Sequence, residues 1–311
     1  MLEAQIIVGD AAKSLAKLEA GSVRTCVTSP PYWGLRDYGD AGQLGQEATP
    51  QEFVENLCQV FDEVRRVLAD DGTVWVNLGD SYNGAAPNRS GANGFNDGRT
   101  NRDKRFSVGG VQGLKPKDLV GIPWRFAFAM QDRGWYLRQD IIWAKPNPMP
   151  ESVTDRCTKS HEYIFLFSKQ AKYFFDNQAI KEKSITTDGK GGLNNKSKSK
   201  RLGTGLESDK DYFNLDGMRS KRSVWAVSTQ PYSGAHFAVY PAKLILPCVL
   251  AGSAIGDTVL DPFSGSGTTG EVALQLGRNY VGVELNPDYA ALSEKRISDA
   301  IGMFGTVEVI R

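Results

Sequence analysis

The sequence predicts an α/β protein: a doubly wound mixed sheet with helices on both faces, carrying a polar insertion. Three observations predict it. Strand-like and helix-like segments alternate along the chain, the pattern that builds βαβ units. A glycine cluster near the C-terminus sits between one such strand and one such helix. No repeat with a period of 20 to 50 residues is present, which excludes solenoids and propellers.

Each element has a local reason. Arg24 to Thr28 (RTCVT) reads as a short strand that stops at a Ser-Pro-Pro turn. Thr49 suits a helix cap, Pro50 its first position and Glu52 the third, a capping box. Phe53, Leu57, Val60, Phe61, Val64, Val67 and Leu68 then recur at helical spacing, and Asp70-Asp71-Gly72 is expected to end the helix. Thr73 to Leu78 (TVWVNL) is the next strand. A helix over Leu119 to Gln131 is followed by strands over Tyr136 to Ala144 and Glu162 to Phe167. Close to the C-terminus come the strand Thr258 to Leu260, the helix Thr269 to Leu276 and the strand Tyr280 to Glu284. Phe237 to Gly256 carries one charge, Lys243, in twenty residues, but Pro241 and Pro247 interrupt it. It reads as a helix buried in a soluble core and not as a membrane span.

Composition excludes several classes. Hydrophobic residues are 41% and charged residues 23% of 311, so the chain is not disordered. Cys26, Cys58, Cys157 and Cys248 form no CxxC pair and only two histidines exist, so neither a zinc site nor a disulfide framework is expected. Reduced thiols and an N-terminus without a basic start and apolar run predict a cytoplasmic protein without a signal peptide. Net charge is +1, yet Ala86 to Lys117 and Lys181 to Arg222 each carry +5, which leaves the rest at −9. Positive charge is therefore concentrated in two glycine-rich or polar segments, with Phe95, Phe106, Tyr212 and Phe213 interleaved. These are either solvated insertions or phosphate-contacting surfaces, with Arg102, Lys104, Arg105, Lys196, Lys198, Lys200 and Arg201 as the candidate contacts.

Two stretches carry chemistry. In Asp261-Pro-Phe-Ser-Gly-Ser-Gly-Thr-Thr-Gly270, Gly265, Gly267 and Gly270 satisfy G-x-G-x-x-G after a strand and before a helix. Glu284, 19 residues after Gly265 at the end of the next strand, is placed to accept from ribose hydroxyls. These features fit any nucleoside-containing cofactor, NAD included, or a turn that serves only helix–strand packing. In Thr28-Ser29-Pro30-Pro31-Tyr32-Trp33, consecutive prolines force the chain out of the sheet in a stiff turn. The Ser29 hydroxyl and the Pro30 carbonyl become a rigid pair of acceptors beside the Tyr32 ring. Such a pair suits a planar amino group, whose lone pair is freed as its hydrogens are drawn off plane. The alternative is a proline-rich turn whose aromatics cover the core.

TSPPY with DPFSGSGTTG resembles the amino-directed DNA methyltransferases that use S-adenosylmethionine, and the order of the two elements resembles their permuted β-class arrangement. The resemblance extends to His236-Phe-Ala-Val-Tyr-Pro241, Tyr280-Val-Gly-Val-Glu284 and Ile6-Ile-Val-Gly-Asp10. It implies a circularly permuted, Rossmann-like S-adenosylmethionine-dependent methyltransferase fold. Residues 1–180 and 225–311 would form the catalytic domain, with 84–117 a mobile basic loop and 181–224 the target-recognition region. His236, Pro241, Asp261, Phe263, Ser264, Gly265, Gly267 and Thr268 would hold the methionine end of the cofactor, Glu284 the ribose and Asp10 the adenine. Ser29, Pro30, Pro31 and Tyr32 would hold a base flipped from double-stranded DNA.

By the same resemblance the flipped base's amino nitrogen attacks the methyl group in line, without a cysteine nucleophile. Pro247-Cys248, the only Pro-Cys pair, reads as core. Ser before Pro-Pro-Tyr favours cytosine N4 as the target, with adenine N6 as the alternative and an NAD-dependent oxidoreductase as a more distant one. A homodimer and a cognate restriction endonuclease stay open as partners, and no metal or membrane contact is implied.

Overall fold

A computed structural model describes residues 1–34, 42–83, 113–184, 217–230, 240–302 and 305–311. In chain order the elements are β1 (Leu2–Val8), α1 (Ala11–Leu15), β2 (Val23–Thr28), α2 (Pro50–Val67), β3 (Leu68–Leu78), α3 (Ile122–Asp132), β4 (Tyr136–Ala144) and β5 (His161–Ser168). They continue with β6 (Glu182–Lys183), β7 (Met218–Arg219), β8 (Val224–Ala226), α4 (Ala242–Gly252), β9 (Thr258–Asp261), α5 (Thr268–Gln275), β10 (Asn279–Glu284), α6 (Pro287–Ile301) and β11 (Gly305–Ile310).

Nine strands form one sheet in the order β11-β1-β10-β9-β2-β3-β5-β4-β8, and β6 pairs with β7 apart from it. β5 runs antiparallel to both neighbours, β3 and β4, while the other pairs are parallel, so the sheet is mixed as predicted. Side chains alternate between two cores. Cys26, Val74, Val76, Phe165 and Phe167 pack with α1, α2 and α3 on one face, while Val27, Trp75, Ile164 and Leu166 pack with α4, α5 and α6 on the other. Burial of both faces explains why TVWVNL and EYIFLF read as continuous apolar runs.

α2 begins as its sequence demands. Thr49 Oγ1 accepts from the Glu52 amide at 3.1 Å, and the Glu52 carboxylate accepts from the Thr49 amide at 3.2 Å. The far end differs from expectation: α2 ends at Val67 and β3 begins at Leu68, absorbing Asp70-Asp71-Gly72. A register irregularity between Val23 and Thr25 makes room for this, with Val23 opposite Leu68 but Thr25 opposite Thr73. Gly72 fits because a Cβ there would lie 2.7 Å from the Arg24 carbonyl oxygen. The third helix also starts later than expected, at Ile122, after Gly121 at φ +79°. Its first amides are satisfied from a distance: Asp80 Oδ1 accepts from Gly121 at 2.9 Å and from Ile122 at 3.0 Å. In the apolar stretch 237–256 the helix is Ala242–Gly252, with Pro241 at its cap and Pro247 inside. No described helix is long and apolar enough to cross a membrane.

β1 lies between β10 and β11, so one side of the sheet is assembled from both ends of the sequence. β9 leads through α5 to β10 on one side, and β2 leads through α2 to β3 on the other. The direction of winding therefore reverses between β9 and β2, where open α/β sheets leave a crevice at their carboxyl ends.

Candidate active site at the carboxyl edge

The two motifs meet at that reversal. β2 and β9 pair through Thr25–Val259 and Cys26–Leu260, so the Ser-Pro-Pro turn and the glycine loop leave the sheet side by side. Thr28 Oγ1 donates to Asp261 Oδ1 at 2.6 Å, joining the last residue of one strand to the last of the other.

Asp261 is 1% exposed and spends both oxygens on protein donors. Oδ1 accepts from Thr28 and from the Phe263 amide at 3.0 Å, and Oδ2 accepts from Thr269 Oγ1 at 2.7 Å and the Tyr240 hydroxyl at 3.3 Å. Burial pushes its carboxyl above the usual aspartate value, and these four hydrogen bonds oppose that shift. Burial, and next the Asp261 charge, push the Tyr240 phenol well up, so it stays a donor. Sequence alone gives Tyr240 no role of its own; its partnership depends on a contact 21 residues away.

The glycine loop is shaped by its neighbours. The Ser264 amide donates to the Val283 carbonyl at 2.8 Å, and the Gly265 amide donates to Glu284 Oε2 at 2.7 Å. Ser264 Oγ also meets Tyr280 and Ser293, and Thr268 accepts from Arg296 at 2.8 Å. Gly267, at φ +80°, opens α5 where a Cβ would lie 2.6 Å from Ser293 Oγ. Glu284 Oε1 holds the Asn286 amide at 2.9 Å. Asp10 caps α1 by accepting from Lys13, and Gly9 donates to the Glu284 carbonyl, which brings both carboxylates to neighbouring strand ends. This arrangement fits a nucleoside cofactor: two half-buried carboxylates to accept from hydroxyl and amino groups, beside a left-handed glycine turn at a helix start.

On the other side of the crevice, Pro30 is buried and Ser29, Pro31 and Tyr32 are half-buried. Trp33 and Tyr32 part ways. Trp33 enters the core at 3% exposure and donates to the Glu47 carbonyl at 3.0 Å. Tyr32 lies at the edge over Gly79, where a Cβ would come within 2.6 Å of Tyr32 Cε2. Its hydroxyl is 2.8 Å from Glu162 Oε2 and 3.3 Å from Asn77 Oδ1. Asn77 also faces Ser29 Oγ at 3.5 Å and donates to the Tyr163 carbonyl at 3.0 Å. Lys145 pairs with Glu162 and sits 4.2 Å from the Trp143 ring centroid. Asn77, Lys145 and Glu162 do not stand out in the sequence, where the only signals are an Asn in an apolar strand and Glu162 at the head of another.

His236 falls outside the described residues, as do Arg102, Lys104, Arg105, Lys196, Lys198, Lys200, Arg201 and the aromatics Phe95, Phe106, Tyr212 and Phe213. Cys26, Cys58 and Cys248 are buried, and burial raises each thiol, that of Cys58 to about 12. Cys248 belongs to the core, as expected. Among the described residues no three His, Cys, Asp or Glu side chains group as a metal site.

The chain matches a family model described as DNA methylase, of N6 and N4 type, over residues 23–295. It is 47% identical to the Type II methyltransferase M.Cfr9I of Citrobacter freundii, over 94% of this chain and 87% of that one. It is also 47% identical to the Type II methyltransferase M.SmaI of Serratia marcescens, over 94% and 90%. Among solved structures it resembles a DNA modification methylase of Thermus thermophilus in complex with S-adenosyl-L-methionine, with a TM-score of 0.61, 25% identity and 99% of both chains covered. The fold is also that of the PvuII cytosine-N4-specific DNA methyltransferase, with a TM-score of 0.63 and 19% identity over 98% of this chain and 94% of that one.

Proposed function

The chain belongs to the DNA methylase family of N6 and N4 amino-directed enzymes, and we propose that within it this protein methylates the N4 amino group of a cytosine flipped out of double-stranded DNA. The family supplies the coarser facts: the chain is an S-adenosylmethionine-dependent DNA methyltransferase with a Rossmann-like methyltransferase fold. The observation that carries the reading is the Thr28–Asp261 hydrogen bond at 2.6 Å, which welds the amine-binding turn to the cofactor loop.

S-adenosylmethionine, when bound, supplies an electrophilic methyl group on a sulfonium. Glu284 and Asp10 would take its hydroxyl and amino groups, and the Phe263–Gly267 backbone its methionine end. Asp261 acts through the loop it holds, since its own oxygens are occupied by protein donors. Ser29 Oγ and the Pro30 carbonyl accept the two amino hydrogens of the target. Drawing them off the base plane returns the lone pair to nitrogen, an electrostatic effect that needs no covalent intermediate. Tyr32 offers the flipped base a stacking face worth about 1–3 kcal/mol, against an unstacking cost of a few kcal/mol. The raised thiols of Cys26, Cys58 and Cys248 fit a route that uses no thiolate.

Ser29 supports cytosine over adenine by the family resemblance, which places Ser before Pro-Pro-Tyr in N4-cytosine enzymes and Asp or Asn there in N6-adenine enzymes. The test is mass spectrometry of nucleosides from plasmid treated with enzyme and cofactor, with the modified positions mapped. N4-methylcytosine is expected. N6-methyladenine would move the enzyme to the other branch, and no methylated nucleoside would sink the reading.

A further inference from the structure

The Ser-Pro-Pro turn fixes Tyr32 only at its backbone and leaves the side-chain torsions of the ring to be set by something else. In the structure the ring is held at its far end. The Tyr32 hydroxyl has one proton, and the nearer acceptor is Glu162 Oε2 at 2.8 Å, against 3.3 Å to Asn77 Oδ1. Asn77 Nδ2 donates to the same Glu162 oxygen at 3.3 Å. The other oxygen pairs with Lys145, and the Lys145 and Glu162 side chains are largely buried, at 17% and 14% exposure. Gly79 packs close to the ring, where a Cβ would lie 2.6 Å from Tyr32 Cε2.

We propose that Glu162, clamped by Lys145, is a positioning residue that locks the Tyr32 ring as a preorganised platform for the target base. The inference rests on the reading of Tyr32 as the base-stacking residue. It explains why a charged pair occupies a partly buried place at the crevice: a carboxylate there accepts from the phenol and the amide together, and the lysine neutralises it. Two strand registers deliver the pair: β5 against β3 sets Leu78 opposite Tyr163, next to Glu162, and β5 against β4 sets Trp143 opposite Glu162, two residues before Lys145. A ring fixed before the base arrives has no torsional freedom left to lose on stacking.

The experiment compares Glu162→Ala, Glu162→Gln, Tyr32→Phe, the double variant Tyr32→Phe/Glu162→Ala and Tyr32→Ala. Readouts are steady-state kinetics, thermal melting, and fluorescence of 2-aminopurine placed at the target position of the mapped site. Tyr32→Phe keeps the ring and the Glu162–Lys145 pair while removing the hydroxyl tether, so it reports even if Glu162→Ala fails to fold. Expected are a tenfold or larger loss of kcat in Tyr32→Phe and Glu162→Ala, with KM for the cofactor within twofold. Glu162→Gln, which still accepts from the phenol, should recover to within about fivefold. The double variant should be no worse than the poorer single, because both remove one interaction. The 2-aminopurine signal on binding should depart from wild type in the same variants.

Losses that multiply in the double variant, or wild-type kcat and fluorescence in Tyr32→Phe, would overturn the tether. Full activity in Tyr32→Ala would instead overturn the role of Tyr32 itself. The two failures are thus separable.

Discussion

Asp261 shows how one side chain can link two halves of a site. It is a buried carboxylate held by neutral donors: two threonines, a tyrosine and one backbone amide. Because burial raises its pKa, the folded state binds the proton more tightly than the unfolded chain does. The stability it contributes is complete below the ordinary aspartate value of about 3.9 and is lost as pH rises through the folded value. Asp261→Asn carries no such loss. The melting temperature of Asp261→Asn relative to wild type should therefore climb as pH rises above the ordinary aspartate value of about 3.9, and a pH-independent gap would mean that the carboxylate ionises without penalty. Thr28→Val tests the same joint from the other strand. Leaving a buried acceptor one donor short costs about 1–3 kcal/mol, measurable by urea unfolding. Since Thr28 precedes Ser29, kcat should fall further than cofactor affinity; equal losses would place the effect in the glycine loop. The Asp261 and Glu284 carboxylates are legible in the sequence. Glu162 is not, because nothing local to His161-Glu162-Tyr163 says which strand it will face.

Elements whose signals are local are readable to within a few residues. Thr49, Pro50 and Glu52 specify the start of α2 by their own hydrogen bonds, and the structure forms both. Thr49→Ala should cost about 1 kcal/mol of stability while leaving methyl transfer at wild-type rate, since α2 is anchored to the core by Phe53, Leu57 and Phe61. A larger loss, or one that includes activity, would show that the cap also orders the Gly45–Glu47 segment behind Trp33. Where a boundary depends on distant residues, local reading fails. The start of α3 is capped by Asp80, 41 positions earlier. The start of β3 depends on a strand irregularity opposite Val23. α6 is different: Asn286 caps it by accepting from Asp288 at 2.9 Å, with Pro287 at the first position, so its signal is local although the expected elements did not include it. The alternation in Gly305–Ile310 that marks β11 is equally open to view.

At the scale of the molecule, the sheet brings the strand-end candidates onto one edge. Asp10, Glu284, the 261–267 loop, the 29–32 turn and Glu162 follow one another across β1, β10, β9, β2, β3 and β5. That gathering is foreseeable from two motifs at strand ends, because parallel strands put their carboxyl ends together. What composition adds is the sign of the surface around it. The chain is nearly neutral, yet two segments hold +5 each. One of them, Ala86 to Lys117, ends in described residues at this edge, where the Asn83 side chain donates to the carbonyls of Leu114 and Lys115. The other, Lys181 to Arg222, includes the β6–β7 pair, beside which the Ser184 amide donates to the Gly217 carbonyl at 2.8 Å. We propose that residues 181–224 form the target-recognition region, with 1–180 and 225–311 as the catalytic domain. Local concentrations of positive charge suit phosphate contacts in a chain without a global positive field. Neutralising Lys196, Lys198, Lys200 and Arg201 together should then weaken binding to any duplex and flatten its salt dependence. The slope of log K against log salt should shrink by about 0.9 for each phosphate that is no longer neutralised, up to four such steps. Sequence preference should change only if some of these side chains touch bases, so cognate and non-cognate duplexes titrated in parallel separate charge from readout. An unchanged slope would return the segment to the solvent as a charged but idle insertion.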